Sequence, residues 1–374
     1  MANGNHKHAA ITLICCEDDV PTEDMRLLAD TLAAQGVPVH LLAGRMRRSL
    51  KGGLQFLGKL VEQRRAIAGS YAVVLDAYCF AVSMFPTGAR TKVVQIWHAS
   101  EAIKKFSLQI VGTPAGQKPR LAKWLKMHKG YDYILCPADA TLPFFEAAFG
   151  YPASAFVKLG LPVLDRIAAI RAEKNIAAAV ATPCRDRILA RYPKLGGKRI
   201  VVYAPTFRDG RPVDAQGVAE AFGGASAAGD FALVLKLHPL DMVYADSARA
   251  LAGAGGILLD RAFALHEWFA LADAIITDYS GVAVEAAAAG IASYYYCYDA
   301  EEYGRERGLN VDLSTEAIGK YVFADARTLA WQLLYDLQSG TYDYGALAAF
   351  RAKYLEVPLT GNTGRLAAFL QSLR

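Results

Sequence analysis

Apolar positions along the first half of this chain follow two rhythms. Ala10–Cys16, Val37–Leu42, Tyr71–Asp76, Lys92–Trp97 and Tyr131–Cys136 are short, β-rich apolar runs followed by polar or turn residues, which predicts buried strands. Thr22–Gln35 repeats its apolar positions at helical spacing and stops at Gly36. Strand and helix alternating in this way predict a parallel sheet covered by helices on both faces. Leu164–Ala190 reads as one Ala-rich helical stretch joining two domains. Beyond it, Arg199–Tyr203, Phe231–Leu237, Gly256–Leu259, Ala274–Thr277 and Ala292–Tyr296 form a second set of strands. Gly217–Gly229 reads as a helix and a loop, and Tyr344–Arg374 as helix broken once at Pro358, Gly361 and Gly364. The prediction is an α/β fold of two doubly wound domains facing a cleft. Residues 1–165 form the first, 166–345 the second, and 346–374 are closing helices able to pack back across both.

Composition narrows the class. A chain of 374 residues, 53% hydrophobic and 21% charged, suits two ordinary soluble domains. It holds no run of eighteen uncharged apolar residues, and Met1–Ala10 lacks the apolar stretch of a signal peptide, so a cytoplasmic protein is expected. Cys15, Cys16, Cys79, Cys136, Cys184 and Cys297 show no CxxC spacing and lie mostly in apolar stretches. Buried reduced thiols are expected, and no zinc site. The net charge of +5 is uneven. Residues 1–170 hold 20 Lys/Arg against 13 Asp/Glu, or +7, and the rest hold 21 against 23, or −2. A basic partner surface therefore belongs to the first half.

Ligands of open α/β sheets sit at the carboxyl ends of strands, and four motifs occupy such places. Val93–Ala99 delivers His98 to a strand end, where it can serve as general base or be an ordinary hydrogen-bonded histidine beside a core tryptophan. Val201–Asp209 ends a strand in a proline turn that presents Thr206 and Arg208, either a phosphate grip or a surface turn paired with Asp209. Leu233–Pro239 places Lys236 and His238 on one face of a strand end, a setting for an anion. Ala274–Gly281 runs from a strand through Asp278 and Tyr279 into an Ala-rich helix. Ser280 is the expected N-cap there, Gly281 allows close backbone approach, and the helix start suits phosphate. Most capped helices bind nothing, so it is the convergence of the four that points to a nucleotide-diphosphate donor site and an acceptor site.

At these residues the chain resembles the CDP-glycerol glycerophosphotransferases of teichoic acid and capsule synthesis. The shared motifs read Trp97-His98-Ala99, Pro205-Thr206-Phe207-Arg208, His238-Pro239 and Thr277-Asp278-Tyr279-Ser280-Gly281. Further family patterns appear as Asp299, Tyr303, Arg307 and Gly308, as Gly160, Pro162 and Asp165, and as Gly361 and Arg365. The resemblance runs from about Lys92 to the C-terminus. It implies a GT-B-like fold of two Rossmann-like domains, acceptor on the first and CDP donor on the second. Ala99, Gly281, Glu285 and Val163 depart from the family pattern, which keeps CDP-ribitol or another CDP-alditol open as donor.

The resemblance implies a reaction. His98 takes a proton from an acceptor hydroxyl, which attacks the β-phosphorus of CDP-glycerol, and CMP leaves. His238 is the second catalytic candidate. Thr206, Arg208, Lys236, His238, Ser280, Gly281 and Arg307 are the expected donor-binding residues, together with Asp278 in a structural or metal-relay role. The acceptor is expected to be an undecaprenyl-diphosphate-linked glycan, with a primase favoured over a polymerase. No cofactor is required by the sequence, Mg²⁺ is compatible with it, and no nucleic-acid partner is expected. Two segments predict contact with the anionic inner leaflet. Arg45–Arg65 mixes basic residues with Leu50, Leu54, Phe56, Leu57, Leu60 and Val61. Gln117–Gly130 reads as a basic amphipathic helix with Lys118, Lys123, Trp124 and Lys126, and Lys104 and Lys105 lie just before it. The rival readings are a GT-B glycosyltransferase using a CMP- or UDP-sugar and a non-catalytic membrane-surface protein with a degenerate cleft.

Overall fold

The computed structural model describes residues 9–16, 18–44, 50–98, 102–176, 180–227, 230–238 and 256–374, with backbone alone at 50–55 and 225–227. The chain divides into two compact units. One runs to Asp165 and takes back Tyr354–Arg374; the other is Arg166–Lys353.

The first unit holds β1 (Ala10–Cys15), β2 (Val39–Ala43), β3 (Ser70–Leu75), β4 (Lys92–Gln95), β5 (Tyr133–Leu135) and β6 (Phe156–Val157). They form one sheet in the order β2-β1-β3-β4-β5-β6, parallel throughout. Strands β1 and β3 are buried at every position, which is why they read as unbroken apolar runs. The second unit holds β7 (Arg199–Tyr203), β8 (Phe231–Leu235), β9 (Ile257–Leu259), β10 (Ala272–Thr277), β11 (Ala292–Tyr296) and β12 (Val322–Phe323). Their order is β12-β11-β10-β7-β8-β9, again all parallel. Counted from β7, this is the 3-2-1-4-5-6 order of a Rossmann sheet, reversing between β7 and β10. The first sheet reverses between β1 and β3. The doubly wound α/β class predicted from the pattern, and the GT-B-like class that the resemblance implies, are the class observed. The sequence reading missed β6 and β12, two residues each, because so short a run has no periodicity.

The single helix expected over Leu164–Ala190 is two, Val163–Glu173 and Pro183–Arg191. Pro183 has no amide to continue a helix and suits a first turn. The Glu173 carboxylate then accepts the amides of Cys184 and Arg185 at 2.9 Å each, fixing the second helix onto the first. The closing segment is also two helices, Tyr344–Tyr354 and Asn362–Ser372.

Asp165 explains two of the family patterns. Its carboxylate accepts the amides of Asn362 at 2.8 Å and Thr363 at 2.9 Å and the Thr363 hydroxyl at 2.7 Å, capping the last helix from 197 residues away. Burial alone would raise the Asp165 pKa, but these bonds outweigh it and hold it below the ordinary carboxylate value. A Cβ on Gly160 would collide with the Asn362 side chain, and Gly361 takes φ +76 at the helix entrance. All six cysteines are free thiols, five buried and Cys16 half-buried.

Candidate functional site

In the second unit the sheet reverses between β7 and β10, so the loops after these strands, 204–209 and 278–281, flank the position where such sheets bind ligands. They are fastened to each other. The Thr277 hydroxyl donates to the Ala204 carbonyl at 2.8 Å, and the Thr206 amide and hydroxyl donate to Asp278 at 2.9 and 2.6 Å. Beneath them Arg208 is 2% exposed. Its Nε donates to Asp299 at 2.7 Å, one terminal nitrogen to Asp278 at 2.9 Å, and the other to the Thr206 carbonyl at 2.6 Å. The guanidinium also lies 4.5 Å from the Tyr303 ring centroid, and Tyr303 stacks on Tyr279 at 4.6 Å. Burial by itself would lower the Arg208 pKa, but the two carboxylates outweigh it and raise it, so the side chain stays charged. One cation thus ties together the loops after β7, β10 and β11.

Among the described residues, His238 and Ser280 stand at this edge. His238, just beyond β8, is exposed, with its ring 5.3 Å from that of Phe207. Ser280 is half-buried, with its hydroxyl 3.4 Å from the Val282 amide.

In the first unit, β4 ends at Gln95 and the chain turns sharply. Trp97 takes φ +60, a left-handed conformation that costs a bulky side chain on the order of 1–3 kcal/mol. Gln95 braces the turn, its carbonyl accepting the Trp97 amide at 2.9 Å and its amide donating to the Ala77 carbonyl at 3.0 Å. The turn presents His98 to solvent. Its ring lies 4.1 Å from that of Trp97, and Nδ1 stands 3.2 Å from the Asp76 carbonyl. A carbonyl only accepts, so Nδ1 carries the proton, and the lone pair of Nε2 is left for chemistry. Below the turn, His128 is buried with Nδ1 3.0 Å from the Tyr131 hydroxyl, and burial lowers its pKa to about 4. Burial also pushes up the Asp76 carboxyl, which accepts the Cys16 amide and the Thr22 hydroxyl at 3.3 Å each.

The family model of the CDP-Glycerol:Poly(glycerophosphate) glycerophosphotransferases matches residues 19–370. The chain belongs to this family. The teichoic acid ribitol-phosphate primase of Bacillus spizizenii is 26% identical over 377 residues, covering 98% of this chain and 92% of that protein. The teichoic acid glycerol-phosphate primase of Bacillus subtilis is 24% identical over 314 residues, covering 81% and 74%. The wall teichoic acid polymerase TagF shares the fold, with TM-score 0.74 at 15% identity over 97% of this chain and 88% of that one. Membership makes the chain a transferase of the class that moves glycerol phosphate or ribitol phosphate in teichoic acid synthesis.

Within the protein several of the expected donor-binding residues are engaged by other side chains. Arg208 is buried together with both carboxylates that neutralise it. Asp278 is its partner, and the Thr206 hydroxyl is spent on Asp278. Lys236 lies beyond the end of β8 and pairs with Asp260 at 3.1 Å. Asp260 also accepts the Tyr192 hydroxyl at 2.7 Å and the Trp268 indole at 2.9 Å. Ser280 sits one residue before the cap of the helix Val282–Ala288, and the cap itself, Gly281, has φ −55, which needs no glycine. Arg307 is half-buried and already has a partner.

The helix expected over Gln117–Gly130 is only Pro119–Trp124. Beyond it Lys126 and His128 take φ +46 and +56, and the Tyr78 hydroxyl holds the Leu125 carbonyl at 2.6 Å. Lys118, Lys123 and Lys126 are exposed, and Trp124 is 66% exposed. Lys104 and Lys105 are half-buried and engaged. Ala99, Pro239, Arg45, Arg47 and Arg48 lie outside the described residues. Among the described residues no group of three or more His, Cys, Asp or Glu is placed to hold a metal ion.

The sequence reading gave no role to Asp76, Gln95, Asp260 or Asp299. Each except Gln95 is an acid just beyond an apolar strand, the signal that could have found them.

Proposed function

We propose that the chain transfers an alditol phosphate from a CDP-alditol to a hydroxyl of a lipid-linked acceptor at a membrane surface, releasing CMP. The observation that carries this reading is His98: an exposed imidazole whose Nδ1 is engaged by the Asp76 carbonyl and whose Nε2 is free to take a proton. In the proposed step Nε2 takes the acceptor hydroxyl proton. The oxygen bonds to the β-phosphorus as its bond to the CMP oxygen breaks. His238 and the Ser280 loop meet the pyrophosphate, and the Arg208–Asp278–Asp299 network holds the Ser280 loop in place. A primase is supported by the two primases named above.

The glycerol donor is supported by the family model. A ribitol donor is a second reading, favoured by the ribitol-phosphate primase aligned over 98% of this chain. Membrane contact is supported by Trp124 and Leu121, exposed by 66% and 36% among exposed lysines. On the helix Leu50–Ala68, Leu57 and Val61 are likewise exposed, by 56% and 48%. Among the described residues no helix is long and apolar enough to cross a membrane.

The test is a donor panel of CDP-glycerol, CDP-ribitol, a CMP-sugar and a UDP-sugar with a synthetic lipid-linked disaccharide, read as CMP or UDP release and product mass. One added alditol phosphate from a CDP-alditol supports the reading. Turnover only with a sugar donor, or no turnover with any, overturns it.

A further inference from the structure

At the opposite end of the second sheet lies a cavity of about 390 Å³. Its walls come from the amino ends of the strands. Lys198 precedes β7, Ala232 is near the start of β8, and Gly256, Ile257 and Leu258 open β9. The segment 191–195, following the helix Pro183–Arg191, closes the other side. The five residues of β7 span about 16 Å, so this cavity is well removed from the loops that carry His238 and Ser280.

Its chemistry is divided. Leu195, Ala232, Ile257 and Leu258 supply an aliphatic floor, while Arg191, Lys194 and Lys198 supply three cations. Among the described residues no acid lines it, and none gives Arg191, Lys194 or Lys198 a carboxylate partner. That is unusual where the surrounding sequence is not basic: residues 171–374 carry 21 Lys/Arg against 23 Asp/Glu. Cations gathered in a concave apolar site without counter-charge are matched by an anion with a hydrocarbon body. Arginine and lysine together fit a phosphate, by fork and by point charge. The floor argues against a nucleobase. The Tyr192 hydroxyl, the only side-chain hydroxyl among the described lining residues, already donates to Asp260 at 2.7 Å. A base would leave its polar edge unpaired against leucine and isoleucine, at a cost an aliphatic chain avoids.

We propose that this cavity is a second, non-reacting site that binds a single-tailed aliphatic phosphate, its phosphate on Arg191, Lys194 and Lys198 and its chain on Leu195, Ile257 and Leu258. The test uses the full chain with four probes: decyl phosphate below its micelle threshold, inorganic phosphate, decyl maltoside and CMP. Hydrogen exchange locates binding and calorimetry measures it. Decyl phosphate is expected to protect peptides covering 191–198, and the other three are not. Replacing both lysines (Lys194→Gln with Lys198→Gln) is expected to weaken decyl phosphate at least tenfold while melting temperature and basal transfer stay unchanged. The proposal is overturned by absence of protection at 191–198, by unchanged affinity in the double variant, or by equal protection from inorganic phosphate, decyl maltoside or CMP.

Discussion

At the carboxyl edge of the first sheet, His98 rests on a backbone carbonyl and on Trp97, which itself packs against the buried imidazole of His128, whereas the same edge of the second sheet is held by Arg208 and Lys236 locked to Asp278, Asp299 and Asp260. The difference follows from what each edge must do. A proton acceptor needs its tautomer fixed, which the Asp76 carbonyl does by accepting the Nδ1 proton. Loops that receive a doubly charged pyrophosphate need a frame that does not shift as charge arrives, and a buried, hydrogen-bonded ionic network supplies one.

The comparison breaks first at His98. Its replacement by alanine is expected to lower transfer about a hundredfold to ten-thousandfold with CDP-alditol affinity unchanged; near-normal turnover ends its assignment as base. Next is Arg208→Ala, which leaves two buried carboxylates uncompensated and is expected to cost about 3–5 kcal/mol of stability, read by denaturant melting. If instead stability holds and only donor binding falls, Arg208 belongs with the ligand-facing residues after all.

His128 sharpens the contrast through pH. Its folded pKa of about 4 lies below the ordinary 6.5, so an unfolded chain binds a proton that the folded one does not. Its contribution to stability is full above about 6.5 and is lost as pH falls toward 4, amounting to about 3 kcal/mol. His128→Gln is expected to flatten this part of the stability–pH curve; an unchanged slope there removes the buried neutral imidazole from the account.

Smaller effects complete the set. His238→Ala is expected to weaken CDP-alditol binding roughly tenfold, the loss of one charge-assisted contact, as measured by calorimetry. Lys123→Gln is expected to weaken binding to anionic vesicles by about 1 kcal/mol at low salt, and less as salt rises. A wild-type protein that fails to sediment with such vesicles removes the membrane surface from the proposal.

The strands that carry the chemistry were legible before any coordinates because they are buried on both faces and therefore continuously apolar, as Tyr71–Asp76 and Arg199–Tyr203 show. The strand ends were legible too, and His98, His238 and Ser280 do stand just beyond β4, β8 and β10. The segment after Lys118 was read as a helix because Leu121, Trp124 and Leu125 have helical spacing. The structure stops that helix at Trp124, where Tyr78 takes hold of the Leu125 carbonyl, a residue 47 positions earlier that no local pattern reveals.

The sequence by itself determined the class of fold, the family and the strand ends at which the candidate residues stand, because these depend on local periodicity and on short ordered motifs. Only the tertiary structure decided what those residues pair with there. Whether Arg208 meets a ligand or two aspartates depends on carboxylates 70 and 91 residues away. Whether Lys236 is available depends on Asp260, and whether Asp165 is a linker residue or a helix cap depends on Asn362 and Thr363. A charged side chain is neutralised by whatever the fold brings within hydrogen-bonding distance, and that pairing is a property of packing, not of sequence neighbours.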